Sequence, residues 1–151
     1  MVPTDAEAVA RLARLFEPVS TTVFQGIDAD DVSFWVRERL ALPEWAGFVA
    51  ELDGEVVGFA LCQDMASQSS GFVFPQATET VYLMYLAVDE AFRGQGLART
   101  LIEACEKLAR DWHRSGLFLD VADDNPALTL YERLGFERLG AQVFLRKHVG
   151  P

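Results

Sequence analysis

From Val81 to Cys105 the chain reads VYLMYLAVDEAFRGQGLARTLIEAC: an apolar segment, a short glycine-containing loop, then the first turns of an amphipathic helix. Val81 to Val88 is apolar apart from the hydroxyls of Tyr82 and Tyr85, which predicts a central strand covered on both faces. Asp89-Glu90 ends it. Leu97, Leu101, Cys105, Leu108 and Trp112 recur at helical spacing, while Arg99, Glu103, Glu106, Lys107 and Arg110 form the polar side, so the helix is expected to lie on a sheet. Between them, Arg93-Gly94-Gln95-Gly96 brings bare backbone to a helix start, where unpaired N–H groups and the positive end of the helix dipole favour an anion. A phosphate-bearing ligand is the expected guest.

The rest of the chain limits what can surround this unit. With 151 residues, 50% hydrophobic and 24% charged, residues 1–151 are expected to form a single domain with a sizeable core. Apolar runs fall well short of the roughly 18–20 residues that cross a bilayer, and MVPTDAEAVARL lacks the basic and apolar regions of a signal peptide. The expectation is a cytoplasmic protein with no membrane partner. Cys62 and Cys105 stand alone in apolar stretches without CxxC spacing, which predicts two buried thiols. His113 and His148 lack paired spacing and read as surface or capping residues, and Asp28, Asp30 and Asp31 read as a helix start, so no metal is expected. A net charge of −10 repels nucleic acid. The same charge suits either solubility or attraction of a cationic substrate.

In chain order, Thr4 and Glu7 form a capping-box pattern for a helix over residues 5–16, whose apolar face is Val9, Leu12, Ala13, Leu15 and Phe16. A second helix is expected over 30–40, with Val32, Trp35, Val36 and Leu40 inward. Strands 47–52 and 56–62 flank Asp53-Gly54, a strong hairpin signal. Residues 66–78 mix small polar residues with Phe72, Phe74 and Pro75 and read equally as a substrate loop or a surface excursion. After the long helix come a stop at Gly116, a strand over 117–121, a turn at Asp123-Asp124-Asn125-Pro126, a short helix over 127–134 ended by Gly135, and a last strand over 141–147.

Leu86-Ala87-Val88, Arg93-Gly94-Gln95-Gly96-Leu97-Ala98, and the distant Asp124-Asn125-Pro126-Ala127 with Leu130-Tyr131-Glu132-Arg133-Leu134-Gly135-Phe136 together resemble the main motifs of the GCN5-related N-acetyltransferases. The resemblance is close over the second half of the chain and extends to element order in the first. It implies an α/β (α+β) fold: a mixed, mostly antiparallel twisted sheet flanked by helices, with a V-shaped opening between adjacent parallel strands 81–88 and 117–121. Family members usually have a short strand before the first helix, and the chain starts almost at that helix, so the presence of this strand stays open. Acetyl-CoA is the implied co-substrate. By resemblance, the backbone of Arg93, Gly94, Gln95, Gly96, Leu97 and Ala98 binds its pyrophosphate, and Leu86 and Val88 bind its pantetheine arm. Asn125 also contacts it, although the Asn125 to Tyr131 spacing is one residue shorter than the family's, which leaves Asp124 as the alternative.

The implied reaction is direct attack by a primary amine on the thioester. An N–H near Leu86, freed by a bulge, meets the oxyanion. Tyr131 is the expected general acid toward the departing thiolate, because a phenol of pKa about 10 stays protonated at neutral pH. Some family members carry a glutamate where this chain has Tyr82, so Glu79 is the candidate base, against its reading as an exposed strand-end carboxylate. Tyr82, Tyr85 and Asp120 read equally as acceptor-pocket or structural residues. The acceptor is expected to be a small-molecule or peptide amine, and the oligomeric state stays open, with a homodimer among the options. The alternative function is a non-catalytic acyl-CoA-binding or interaction module. A dinucleotide site lacks its third glycine at Arg99, and a phosphate-loop NTPase lacks Gly-Lys-Ser/Thr.

Overall fold

The computed structural model describes residues 1–13, 29–67 and 79–140. Two compact units make up the chain, Met1–Asp120 and Val121–Pro151. In the first, a 3-10 turn, Pro3–Asp5, leads into helix α1 (Ala6–Ala13), followed by α2 (Ala29–Leu40), strands β1 (Trp45–Leu52), β2 (Glu55–Asp64) and β3 (Thr80–Val88), helix α3 (Leu97–Asp111) and strand β4 (Gly116–Phe118). The second holds α4 (Leu128–Arg133). Among the described residues no strand precedes α1, and no helix is long and apolar enough to cross a membrane. The expected strand over 141–147, His148 and most of the 66–78 segment lie outside the described residues, as do positions 14–16 of the first helix.

The sheet has the order β1-β2-β3-β4, antiparallel except for the parallel β3–β4 pair. Asp53 and Gly54 both have positive φ, 52° and 83°, as a two-residue primed turn requires, and they join Leu52 to its partner Glu55. One face of the sheet packs against α1 and α2, through Val9, Leu12, Val36, Trp45, Phe59, Leu61, Tyr85 and Ala87. The other receives α3. There Cys62 and Cys105, both free and buried, bring their sulfurs to 3.4 Å. Burial on α3 centres on Leu101, Ile102, Cys105 and Ala109, so the stripe is turned slightly from the expected one and leaves Leu97, Leu108 and Trp112 half-buried.

A bulge in β3 explains its unbroken apolar sequence. Leu83 pairs with Cys62 and Tyr85 pairs with Leu61, so Met84 is an extra residue on β3. Strand partners share a face, which puts Val81 and Leu83 on the Cys62 side with α3, while Tyr85 and Ala87 lie on the Leu61 side with α1 and α2. Leu86 and Val88 then return to the α3 side, where a Cβ at Gly58 would come within 3.3 Å of Val88 Cγ2 and 3.4 Å of Leu101 Cδ1. The strand is therefore buried on both faces in sequence, one half on each. Within either half its exposure alternates, with Tyr82, Met84, Leu86 and Val88 half-buried.

Candidate active site

The β3–β4 ladder consists of Thr80 with Gly116, Val81 with Leu117 and Tyr82 with Phe118. It ends there, two residues before the bulge, and β4 is shorter than the expected 117–121. The Leu83–Val88 edge of β3 stays outside the ladder. Asp89 N–H donates to Val57 O at 2.8 Å, so strand alternation turns Ala87 toward β2 and the backbone of Leu86 and Val88 toward the open edge. The bulge at Met84 lies two residues before Leu86.

At the end of this edge the chain forms a cradle. A 3-10 turn, Glu90–Phe92, is capped by Asp89, whose carboxylate accepts from Ala91 N–H at 3.0 Å. Arg93 then donates twice within the fold: its backbone N–H to Glu90 O at 3.3 Å and its Nε to Val88 O at 3.2 Å. Thr100 N–H is the first to enter the α3 ladder, on Gly96 O at 3.1 Å. Between Arg93 and Thr100, the N–H groups of Gly94, Gln95, Gly96, Leu97, Ala98 and Arg99 find no acceptor among the described residues. The free run thus begins one residue after Arg93 and reaches Arg99, and Arg93 braces the cradle against the strand. Gly94 and Gly96 have φ of 77° and 82°, and an added Cβ would meet nothing within 4 Å at either, so within the chain their requirement is backbone conformation.

Tyr82, Tyr85 and Asp120 come together. The Tyr82 hydroxyl donates to Asp120 Oδ1, and the Tyr82 ring packs on Phe118 with centroids 5.9 Å apart. Tyr85 meets Trp35 edge-on at 6.2 Å; Trp35 in turn meets Trp45 at 5.6 Å, and Arg39 lies 5.0 Å above the Trp35 ring. Burial, then the Asp120 charge, push the Tyr85 phenol up to about 12. Burial, then the hydrogen bond and charge of Asp120, raise Tyr82 as well. Glu79 is exposed at the opposite end of β3, about 23 Å along the strand from Leu86 at about 3.3 Å per residue. With Ala66, His113, Arg114 and Ser115 it lines an open cleft of about 530 Å³. The Tyr82–Asp120 bond joins positions thirty-eight residues apart, and no local pattern in the sequence announces it.

In the second unit, Asn125 Oδ1 accepts from Ala127 N–H at 2.9 Å and Asn125 O accepts from Leu128 N–H at 3.0 Å, so Asn125 sets the turn that starts α4. Asp124 is exposed. Gly135, with φ 89°, follows the end of the helix. The Tyr131 ring meets Phe136 edge-on at 5.6 Å, and its hydroxyl makes no hydrogen bond among the described residues. Burial raises this phenol to about 12, which keeps it a proton donor across the neutral range.

Residues 10–136 match the model of the Acetyltransferase (GNAT) family. The chain belongs to that family. This GNAT acetyltransferase is 30% identical over 138 residues to an N-alpha-acetyltransferase of Sulfurisphaera tokodaii, across 90% of this chain and 77% of that protein. It is 33% identical over 128 residues to an N-alpha-acetyltransferase of Saccharolobus solfataricus, across 73% and 77% of the two chains. Its fold matches that of the aminoglycoside N-acetyltransferase AAC(6')-Iy in complex with CoA, at a TM-score of 0.78 and 25% identity over 99% of this chain and 92% of that one. The GNAT chain is an acyltransferase with an acetyl-CoA-binding fold, which favours catalysis over the binding-module alternative.

Proposed function

We propose that the enzyme transfers an acetyl group from acetyl-CoA to a primary amine by direct attack in a ternary complex. The carrying observation is the run of unspent N–H groups from Gly94 to Arg99, which continues from the open β3 edge at Leu86 and Val88. In this reading the pyrophosphate takes the N–H groups of Gly94, Gln95, Gly96, Leu97 and Ala98. The pantetheine adds along Leu86 and Val88 like a short strand, and a strand N–H near Leu86 meets the oxyanion. Asn125 keeps its side-chain N–H₂ for the cofactor. Tyr131 protonates the departing CoA sulfur, a role its unbonded and half-buried phenol supports. The remote position of Glu79 gives no support to its role as base.

For the acceptor, the names of the two sequence relatives favour the α-amine of a peptide. Chemistry points the same way: an α-amine has a pKa near 8 against about 10.4 for a lysine, so far more of it is neutral and nucleophilic at pH 7. The structural likeness to AAC(6')-Iy makes an aminoglycoside amine the second reading. We also propose a cytoplasmic setting, which the two free thiols support. Release of free CoA thiol would be followed with acetyl-CoA and a panel of free-N-terminus peptides, N-α-acetyl-lysine, spermidine and neamine, alongside direct CoA binding. Turnover highest on the peptides is expected; tight CoA binding with no turnover on any amine would overturn the proposal.

A further inference from the structure

We propose that Asp120, held by the Tyr82 hydroxyl, receives the acceptor's ammonium group and removes its proton, with Tyr82 as the positioning residue. This rests on the N-acetyltransferase activity proposed above. Asp120 lies two residues past Phe118, the last β4 residue in the ladder, where the two parallel strands cease to be paired. It is exposed and bears one ordered contact: Oδ1 accepts from Tyr82, while Oδ2 has no hydrogen-bond partner among the described residues. One oxygen is thus fixed and the other is left for a cation.

The surroundings suit an ammonium. The bulge at Met84 brings Tyr82 and Tyr85, three positions apart, to the same face, and both phenols feel the Asp120 charge. The Tyr82 ring is set by Phe118, and the Tyr85 ring by Trp35. An exposed carboxylate fixed through one oxygen attracts an alkylammonium by its charge and its free hydrogen-bond acceptor. The Tyr82 hydroxyl supports a carboxylate supplied from just beyond the end of β4.

Over the reaction the ammonium nitrogen loses two protons. Asp120 takes the first and passes it to solvent, which its exposure allows; the freed lone pair attacks the thioester carbonyl carbon. As the C–S bond breaks, the thiolate gains a proton from Tyr131, and the second nitrogen proton is returned through solvent to that phenolate. The products are the amide, CoA thiol and one released proton.

The test uses the full chain with acetyl-CoA and the same amine panel. Asp120→Asn should lower kcat/KM for the best amine by about 10²-fold while CoA affinity stays within about twofold, and Asp120→Glu should recover part of the loss. Tyr82→Phe should cost about tenfold, mainly through amine KM, yet add almost nothing in the Asp120→Asn background, because its effect passes through the carboxylate. A Tyr82 with a purely structural role would give the same loss in both backgrounds, and that additivity would remove it as a positioning residue. Folded Asp120→Asn with wild-type kcat and amine KM would overturn the role of Asp120 while leaving the acetyltransferase proposal intact. Wild-type protein that binds CoA but acetylates no amine would overturn both.

Discussion

The Tyr82 hydroxyl donates to the Asp120 carboxylate, across the point at which β3 and β4 stop pairing. A phenol that gives its proton to an anion is costly to ionise. The same holds, through burial, for Tyr85 and Tyr131, so all three tyrosines of the chain have raised pKa values.

Alkaline stability follows from those shifts. A phenol whose folded pKa exceeds its unfolded value of about 10 contributes stability that is complete below pH 10 and is lost as pH rises through the folded value, about 12 for Tyr85 and Tyr131. Absorbance in the tyrosinate band should therefore stay flat in the native protein to about pH 11 and then rise together with loss of the circular-dichroism signal. A tyrosine titrating in folded protein near its ordinary value would contradict the burial.

At the acid end the relevant pair is Asp64 and Arg114, joined by two hydrogen bonds of 2.8 Å at the end of β2 and after α3, with side-chain exposures of only 16% and 27%. The hydrogen bond from Arg114 holds Asp64 below the usual carboxylate range, against an opposing effect of burial. Its stabilisation is present above the unfolded pKa of about 4 and fades as pH falls through the lower folded value. Asp64→Asn should cost on the order of 2 kcal/mol at neutral pH and flatten the dependence of Tm on pH below about 4. An unchanged Tm at pH 7 would show the pair to be ornamental.

Tyr131→Phe should lower kcat by about 10²-fold and leave CoA affinity unchanged, because the hydroxyl is needed only once charge develops on sulfur. Steady-state and single-turnover rates on one amine would measure this. Equal single-turnover rates in the two proteins would take the acid role from Tyr131.

At Gly96 the φ of 82° is the constraint. Gly96→Val should destabilise the fold by about 1–2 kcal/mol and weaken CoA binding at least about tenfold, since the αL residue aims the N–H groups that follow it. Calorimetric CoA titration of the folded variant is the check, and retained affinity would argue against the cradle.

Neither thiol should react with an aromatic disulfide reagent in the native state, whereas both should react after denaturation. Cys62 and Cys105 are fully buried, and their mutual hydrogen bond together with burial raises the Cys62 thiol above its ordinary range. Rapid labelling of the native protein would mean that α3 lifts from the sheet.

The glycine loop and the helix start after it were legible in the sequence because their physics is local. Gly94 and Gly96 need positive φ, Leu97 onward needs helical spacing, and an N-terminus without a side-chain cap leaves N–H groups for an anion; adjacent residues are enough to show each of these. The Asp53-Gly54 hairpin and the Asn125 turn were readable for the same reason. Arg93 was only half readable: its place in the motif showed, but its partners Glu90 and Val88 depend on how the loop doubles back.

What only the tertiary structure decided is the meeting of Tyr82, Tyr85 and Asp120. Val81 to Val88 by itself reads as uniformly apolar; pairing with β2 creates the bulge at Met84, which exchanges the two faces midway and gathers Tyr82 and Tyr85 on one side. Asp120 joins them because the β4 ladder stops at Phe118. Sequence periodicity determined which residues enter a strand or helix. Strand register, which depends on contacts between distant segments, determined which of them meet.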